Sequence, residues 1–416
     1  MHEDPYAVVL FDLALILLAA HLGGALFRRL RQPPVIGEVV VGILLGPTLL
    51  GDVSTRLFPL DARPLLKVLA TIGVVVFMFV VGLEVDRVRL RAQARVAGAV
   101  SIGGMVLPFA LGVLLALWLR TSYNDGGAAF VLFIGVAMAI TAFPVLVRIL
   151  IDRDLDQRPL GVLVIGAAAI DDLMAWLLLA GVASLAAAET GLGPVVSALL
   201  LSLLALIMFV VVRPKLSRFA DLELTPAATT LVLSGLFLSA YVTSAIGVHE
   251  IFGAFLLGLV FPRGRLERLL RSRLEIIGLV FLPVFFVATG LNVDLSGVGA
   301  SGAIQFLVIV LVAFGGKLGG AFVGARTQGV AVRESLAIGV LMNTRGLAEL
   351  IVLTVGRELG VIDDQLFSLL VLMAVVTTVA TGPLLDLVGP DPSLGVDDRS
   401  PPPGPPHDGE EPRAAP

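Results

Sequence analysis

The sequence predicts an all-α polytopic membrane protein of about thirteen transmembrane helices, six plus six in an inverted repeat around one linker helix. Three observations carry that prediction. Apolar runs of about 20 residues, the length that crosses a bilayer as a helix, recur along the whole chain. Basic residues gather in alternate loops between those runs. Two motifs of the first half return in the second, as they do in carriers built from repeats.

Composition sets the bounds. Of 416 residues 57% are hydrophobic and only 15% are charged, where a soluble chain carries about 25%. A soluble enzyme with a few apolar helices is excluded, and no nucleic-acid partner is expected. The absence of cysteine removes disulfides, thiolate catalysis and Cys-based metal sites. The net charge of -4 says little, since the placement of charge matters more than its sum. The opening "MHEDPYA" lacks a basic leader, so no cleavable signal is expected.

In chain order the runs fall at 7–27, 35–50, 65–84, 96–119, 128–151, 159–187, 193–212, 225–247, 250–262, 275–291, 302–324, 333–356 and 366–388. Glu38 and Glu84 sit at run ends and read as interfacial; Trp118 fits an aromatic belt. The fifth run holds "ITAFPVLVRIL", in which Pro144 removes a backbone donor and frees the carbonyl of Ile140. The sixth holds "AAAIDDLMAW", two adjacent carboxylates in a stretch otherwise without charge from Leu160 to Ala188. Trp176 lies deeper than Trp118 and reads as packing. The seventh run, 193–212, is the linker. His249, at the head of the short ninth run, reads as an interfacial histidine. The eleventh contains Lys317 in "FGGKLGGAFVGA", whose glycines let other backbones approach. The twelfth is interrupted by "LMNTRGLAELIVL", with Asn343, Thr344, Arg345, Gly346 and Glu349 near its middle. The tail from Gly389, rich in proline and acid, cannot build a core and reads as disordered.

Twenty Lys and Arg lie in one set of loops and five in the other. The expected orientation is therefore amino terminus outside and carboxyl terminus in the cytoplasm. "FMFVVGLEVD" (77–86) returns as "FFVATGLNVD" (285–294), and "EVVVGILLGP" (38–47) as "EIFGAFLLGLVFP" (250–262), at offsets of 208 and 212. An odd helix between the halves inverts the second. Thr141 and Asn343, 202 residues apart, then put the two interruptions at matching positions, where freed carbonyls and helix ends face one cavity.

Ionisable residues at membrane depth are expensive and point to function. Asp171 and Asp172 stand about 12 residues from either end of their run, near the bilayer centre. Neighbouring positions on a helix point about 100° apart, so one carboxylate faces the cavity and the other a neighbouring helix. An Asp171–Lys317 pair would let an entering cation break a salt bridge and release a proton. Arg345 and Glu349, four residues apart on one helix face, are placed to pair with each other.

"TAFPVLVRIL", "AAAIDDLMAWLLLA", "HEIFGAFLLGLVFP" and "MNTRGLAELIVLTVG" followed by "VIDDQLFSLLVLMAVVTTVATGPLL" resemble, in register and in order, the monovalent cation:proton antiporter-2 family. The likeness covers 7–388 and is to the branch of plant cation/H+ exchangers and their bacterial relatives. It implies a homodimer whose protomer has a scaffold (about 7–91 and 225–300) and a mobile core (about 96–187 and 302–388) with two crossed, unwound helices. By that likeness Asp172 matches the aspartate that carries ion and proton, and Asp171 the preceding acid, which is Asn or Gln in many relatives. Lys317 matches the core lysine, and Thr141 and Asn343 the helix breaks. An Asp at 171 resembles electrogenic sodium-type members, whereas "TAFPVLVRIL" resembles potassium-type exchangers. The soluble domains of glutathione-gated potassium-efflux relatives are not expected after 388.

The resulting expectation is a Na+ or K+ for H+ antiporter of the cell membrane, working by alternating access without a cofactor. Its partners are cations, protons and lipid, and Asp172 holds either the cation or a proton. A channel or gated leak on the same fold is the alternative. An intramembrane aspartyl protease would need carboxylates converging from different helices and a Gly-x-Gly-Asp motif, and this chain has neither.

Overall fold

The structure, a computed structural model, describes residues 5–59, 61–84, 94–123, 127–156, 158–186, 194–218, 225–246, 250–296 and 298–389. His249, Arg87, Arg89, Arg91 and the tail from residue 390 lie outside the described residues, as do the side chains of Glu84 and Pro144. Every regular element among the described residues is helical. The first half contains α1 (Pro5–Arg29), α2 (Pro34–Leu45), two short helices α3 (Pro47–Leu50) and α4 (Asp52–Leu57), and α5 (Arg63–Glu84). It continues with α6 (Ala94–Leu119), α7 (Gly127–Ala139), α8 (Phe143–Asp152) and α9 (Pro159–Ala186). The linker is α10 (Pro194–Ile207), a π turn (Met208–Val212) and α11 (Arg213–Ser217). The second half is α12 (Pro226–Ala245), α13 (Glu250–Val260), α14 (Arg265–Leu291), α15 (Ala300–Thr327), α16 (Val332–Met342), α17 (Leu347–Glu358) and α18 (Asp364–Val388).

Local chemistry explains many of the ends. Proline opens α2, α9, α10 and α12, where its missing N–H has no intrahelical acceptor to lose. Thr225 accepts from the Ala228 N–H at 3.1 Å and Asp363 from Leu366 N–H at 2.8 Å, capping α12 and α18. Gly389, at φ 53°, closes α18 in the left-handed conformation that glycine adopts without strain. Among the described residues eight helices are long and apolar enough to cross a membrane, and two bent pairs raise the number to ten. The stretches Pro34–Leu50, Gly127–Ala139 and Glu250–Val260 are shorter apolar segments, so length and composition alone do not fix thirteen spans. α14 bends by 42° between Gly278 and Val280. Pro283 explains the bend, because its ring displaces the carbonyl four residues back, at residue 279.

Helices pack in two groups. α6, α7 and α9 pack with α15 to α18; α1, α2 and α5 pack with α12, α13 and α14. Contacts between the groups are sparse by comparison, and the linker touches α9 on one side and α13 on the other. The repeated motifs meet across the halves. Gly290, from "GLNVD", lies backbone to backbone against Gly42 on α2; its counterpart Gly82, from "GLEVD", lies in the same way against Gly258 on α13. A Cβ at any of the four would enter the backbone opposite, so each helix pair depends on glycine for its approach. The ends of successive helices define an amino-terminal face, where α1 begins, and an opposite, arginine-rich face. Leu10, Leu18, Leu22, Leu199, Leu203 and Leu231 are exposed along the flanks, as lipid-facing positions are. Trp118 is exposed near the end of α6.

Candidate functional site

The two interruptions meet at the centre of the second packing group. The first, residues 140–142, separates α7 from α8; the second, residues 343–346, separates α16 from α17 with a 45° bend. They are hydrogen-bonded to each other through the Ala142 N–H, which donates to Thr344 O at 2.9 Å; Thr141 Oγ1 lies 3.1 Å from Met342 O, its one proton serving either that carbonyl or Asp171. Gly346 is needed at the crossing, since a Cβ there would lie 2.7 Å from Val145 Cγ2. Pro144 occupies the second position of α8 and does not break a helix from within. The gap precedes it because proline suits a helix start and, without an N–H, cannot carry the hydrogen-bond ladder of α7 back to the carbonyl of residue 140. The carbonyls that the gap exposes and that find partners are therefore those of Ala137, Met138 and Ala139, in the last turn of α7, and Ile140 is not among them.

Cations from the second half fill those carbonyls. Arg345 donates from Nη1 to Ala137 O and from Nη2 to Met138 O, each at 2.7 Å, while Nη1 also pairs with Glu349 Oε1 at 2.7 Å. Lys317 Nζ donates to Ala139 O at 2.5 Å. Thr378 of α18 holds the second break from behind, accepting the Arg345 N–H at 2.9 Å and donating to Arg345 O at 2.6 Å. Arg345, Glu349 and Lys317 are completely buried, which is tolerable only with such pairing. Asn343 is also buried, and neither of its amide atoms has a protein hydrogen-bond partner among the described residues.

Asp171 and Asp172 do point apart. Asp171, wholly buried, accepts Ser101 Oγ at 2.5 Å on Oδ1, and on Oδ2 accepts Thr141 Oγ1 at 2.9 Å and Lys317 Nζ at 2.7 Å. Three donors from α6, the first break and α15 thus surround the carboxyl group. Asp172, 5% exposed, stands four residues before Trp176 and so on the same face of α9. Trp176, one turn on and on that same face, meets Phe252 of α13 edge to face, with ring centroids 6.0 Å apart. Ser101, Thr378 and the three α7 carbonyls have no motif of their own; a lone hydroxyl in an apolar run is the only mark of the first two.

Two cavities flank this centre. On the amino-terminal face one of about 470 Å³ is lined by Arg63, Lys67, Thr289, Arg357, Glu358 and Phe367. Lys67 of α5 pairs there with Glu358 of α17 at 2.9 Å, tying the two groups together. Toward the arginine-rich face a cavity of about 390 Å³ is lined by Val35, Glu38, Phe77, Val80, Leu282 and Phe286. Glu38, expected at the interface with water, is half-buried in this wall.

A buried aspartate locked to a lysine, a neighbouring aspartate at a seam, and two helix breaks crossing beside them define a fold as much as a site. The family description "Sodium/hydrogen exchanger, transmembrane" matches residues 16–388. The chain belongs to the sodium/hydrogen exchanger family. Among other members, Na(+)/H(+) antiporter NhaS4 of Synechocystis is 39% identical over 94% of this chain and all of its own length. Cation/H(+) antiporter 17 of Arabidopsis thaliana is 39% identical over 92% of the chain and 48% of its own length. K(+)/H(+) antiporter 1 of Saccharomyces cerevisiae is 37% identical over 94% and 47%. The chain thus spans the whole of the cyanobacterial exchanger and about half the length of the plant and yeast ones. The exchanger fold is shared with the sodium proton antiporter MjNhaP1 of Methanocaldococcus jannaschii, at TM-score 0.73, 16% identity, 93% of this chain and all of that one.

Proposed function

We propose that this chain is a secondary active transporter that exchanges a monovalent cation, Na+ or K+, for protons across the cell membrane by alternating access. The carrying observation is the division between the two aspartates: Asp171 accepts from Ser101, Thr141 and Lys317, while Asp172, turned about 100° away, shares its helix face with Trp176, which meets Phe252 of the other packing group across the seam. A carboxylate at such a seam can be offered to either face as one group moves against the other. Asp172 holds a cation or a proton, never both, and this exclusion couples the fluxes. Family membership and the antiporter names of its relatives support the reading.

In this scheme the group of α6–α9 and α15–α18 is the mobile core, and that of α1–α5 and α12–α14 is the scaffold through which two copies pair. Lys317 sets the charge moved per cycle: an entering cation competes for Asp171, and a released lysine gives up its proton to water. Thr141, Asn343 and Gly346 shape the crossing, and Arg345 and Glu349 hold it open. The amino-terminal face is outer and the arginine-rich face cytoplasmic, as twenty against five basic loop residues favours.

Proteoliposomes carrying a pH dye test the reading. Na+, K+ and Li+ added in turn are expected to dissipate an imposed pH gradient saturably with the native chain, and not at all with Asp172→Asn. Native-like exchange by that variant would overturn the mechanism.

A further inference from the structure

We infer that Trp176 is the outer seal of the cation site: a positioning residue that closes Asp172 from the amino-terminal vestibule by resting on Phe252, and that must move for the site to open outward. The inference rests on the antiport reading above.

Position comes first. α9 runs from the arginine-rich face to the amino-terminal face, so Trp176 stands one turn, about 6 Å, beyond Asp172 toward the amino-terminal side. Its partner Phe252 belongs to the other packing group, so the contact spans the seam where Asp172 lies. The vestibule opens on the same, amino-terminal side. Below the cavity rimmed by Lys67 and Glu358 is a smaller one of about 60 Å³, lined among others by Val74, Glu250, Ile251, Ile351 and Thr354. Ile251 is the chain neighbour of Phe252. Two rings, 3% and 7% exposed, thus close the seam one turn from Asp172 on the side where the vestibule lies.

The indole supplies the second observation. Trp176 Nε1 is buried and, among the described residues, has no protein hydrogen-bond acceptor. A buried N–H without an acceptor is costly, and packing alone does not explain it, since phenylalanine or leucine would fill the space without the cost. An aromatic that needed only to pack would not carry this donor. A donor that gains its acceptor when the group moves fits both facts. In the outward-open state the indole N–H binds water admitted from the vestibule, or the Asp172 carboxylate, and this compensates the lost ring contact.

The chain has only two tryptophans, so a Trp118→Phe background leaves Trp176 as the sole indole emitter. In that background Na+ or K+ is expected to shift the emission to the red, as the ring leaves Phe252 and meets water. Adding Asp172→Asn should abolish the shift. Exchange that continues with emission unmoved by either cation would overturn the seal; absence of exchange in the native chain would instead overturn the function. Transport gives the second measurement. Trp176→Ala and Phe252→Ala are each expected to raise passive cation leak at zero pH gradient by roughly tenfold, the weight of one good ring pair. Trp176→Phe keeps the ring and should remain tight, with outward opening slowed for want of the N–H. Leak as low in both alanine variants as in the native chain, or equal leak in Trp176→Phe and Trp176→Ala, would overturn the role of the ring. Should either alanine variant fail to fold, Phe252→Leu and the fluorescence experiment still decide.

Discussion

The two helix breaks occupy matching places in the repeat and are opposite in chemistry. The first, at 140–142, carries no charge and presents the carbonyls of Ala137, Met138 and Ala139; both central aspartates also come from its half. The second, at 343–346, brings Arg345, and its half also supplies Lys317. One half contributes acceptors and acids; the other contributes the cations that occupy them. A single duplicated half could not do both, because identical breaks would set like charges and orphan carbonyls against each other. Only Glu349 departs from this division, and it is paired locally with Arg345 at 2.7 Å.

The most severe way to break that arrangement, beyond the loss of exchange in Asp172→Asn, is to remove one partner of a buried pair. Lys317→Ala leaves Asp171 buried without its cation, with only the Ser101 and Thr141 hydroxyls, and is expected to cost about 3–5 kcal/mol of stability. Thermal unfolding in detergent checks this. Adding Asp171→Asn to Lys317→Ala should recover most of the loss, and simple additivity would show the two are not coupled. Asp171→Asn alone keeps two of the three donors in use. It is expected to reduce the charge moved per cation, read as current on a solid-supported membrane, and unchanged charge would sink the role given to Lys317. Thr378→Val removes both hydrogen bonds behind the second break. A loss of about 1–3 kcal/mol is expected, because the buried Arg345 N–H is left without its partner.

Smaller effects lie outside the breaks. Lys67→Ala severs a pair whose side chains are 62% and 34% exposed, so the stability change should stay under about 1 kcal/mol and vanish in high salt. A salt-independent effect would mean that the pair is shielded from water. Asp294, in the loop after α14, is held below the usual aspartate range by the Ser296 hydroxyl and then by its N–H. A depressed folded value stabilises above the unfolded value and is lost as pH falls through the folded one. Ser296→Ala should therefore lower stability slightly at neutral pH and flatten the acid-side loss, so that the variant and the native chain converge below roughly pH 4.

Much of the centre is legible in the amino-acid sequence. Adjacent positions on a helix diverge by about 100°, which alone separates Asp171 from Asp172. Lys317 is the sole lysine in the interior of an apolar run, Lys67 standing at the head of its own, so it needs a partner, and few acids are available to it. Arg345 and Glu349 read as a pair from their spacing. What is not legible depends on tertiary geometry. Every residue carries a carbonyl, and nothing in "VAMAIT" marks 137–139 as acceptors; Arg345 reaches the first two from 208 and 207 positions away and Lys317 the third from 178. Pro144 marks the break but not its side, because the ring suits a helix start as well as it ends one. Ser101 and Thr378 are single hydroxyls in apolar spans, where most such groups bond only to their own helix. Glu38 reads as interfacial because it lies close to a helix end; the wall that half-buries it is made of α5 and α14.

The crossed glycine contacts have a consequence for how the protein is made. Gly42 leaves the ribosome about 250 residues before Gly290, and Gly82 about 175 before Gly258. At roughly 5–20 residues per second, α2 and α5 wait on the order of tens of seconds in the bilayer before their backbones have anything to lie against. During that interval their glycine faces are open to lipid or to a neighbouring nascent chain. Biogenesis thus has a vulnerable window written into the repeat, and chain shortage or stalling before α13 would strand a half that has no stable resting place of its own.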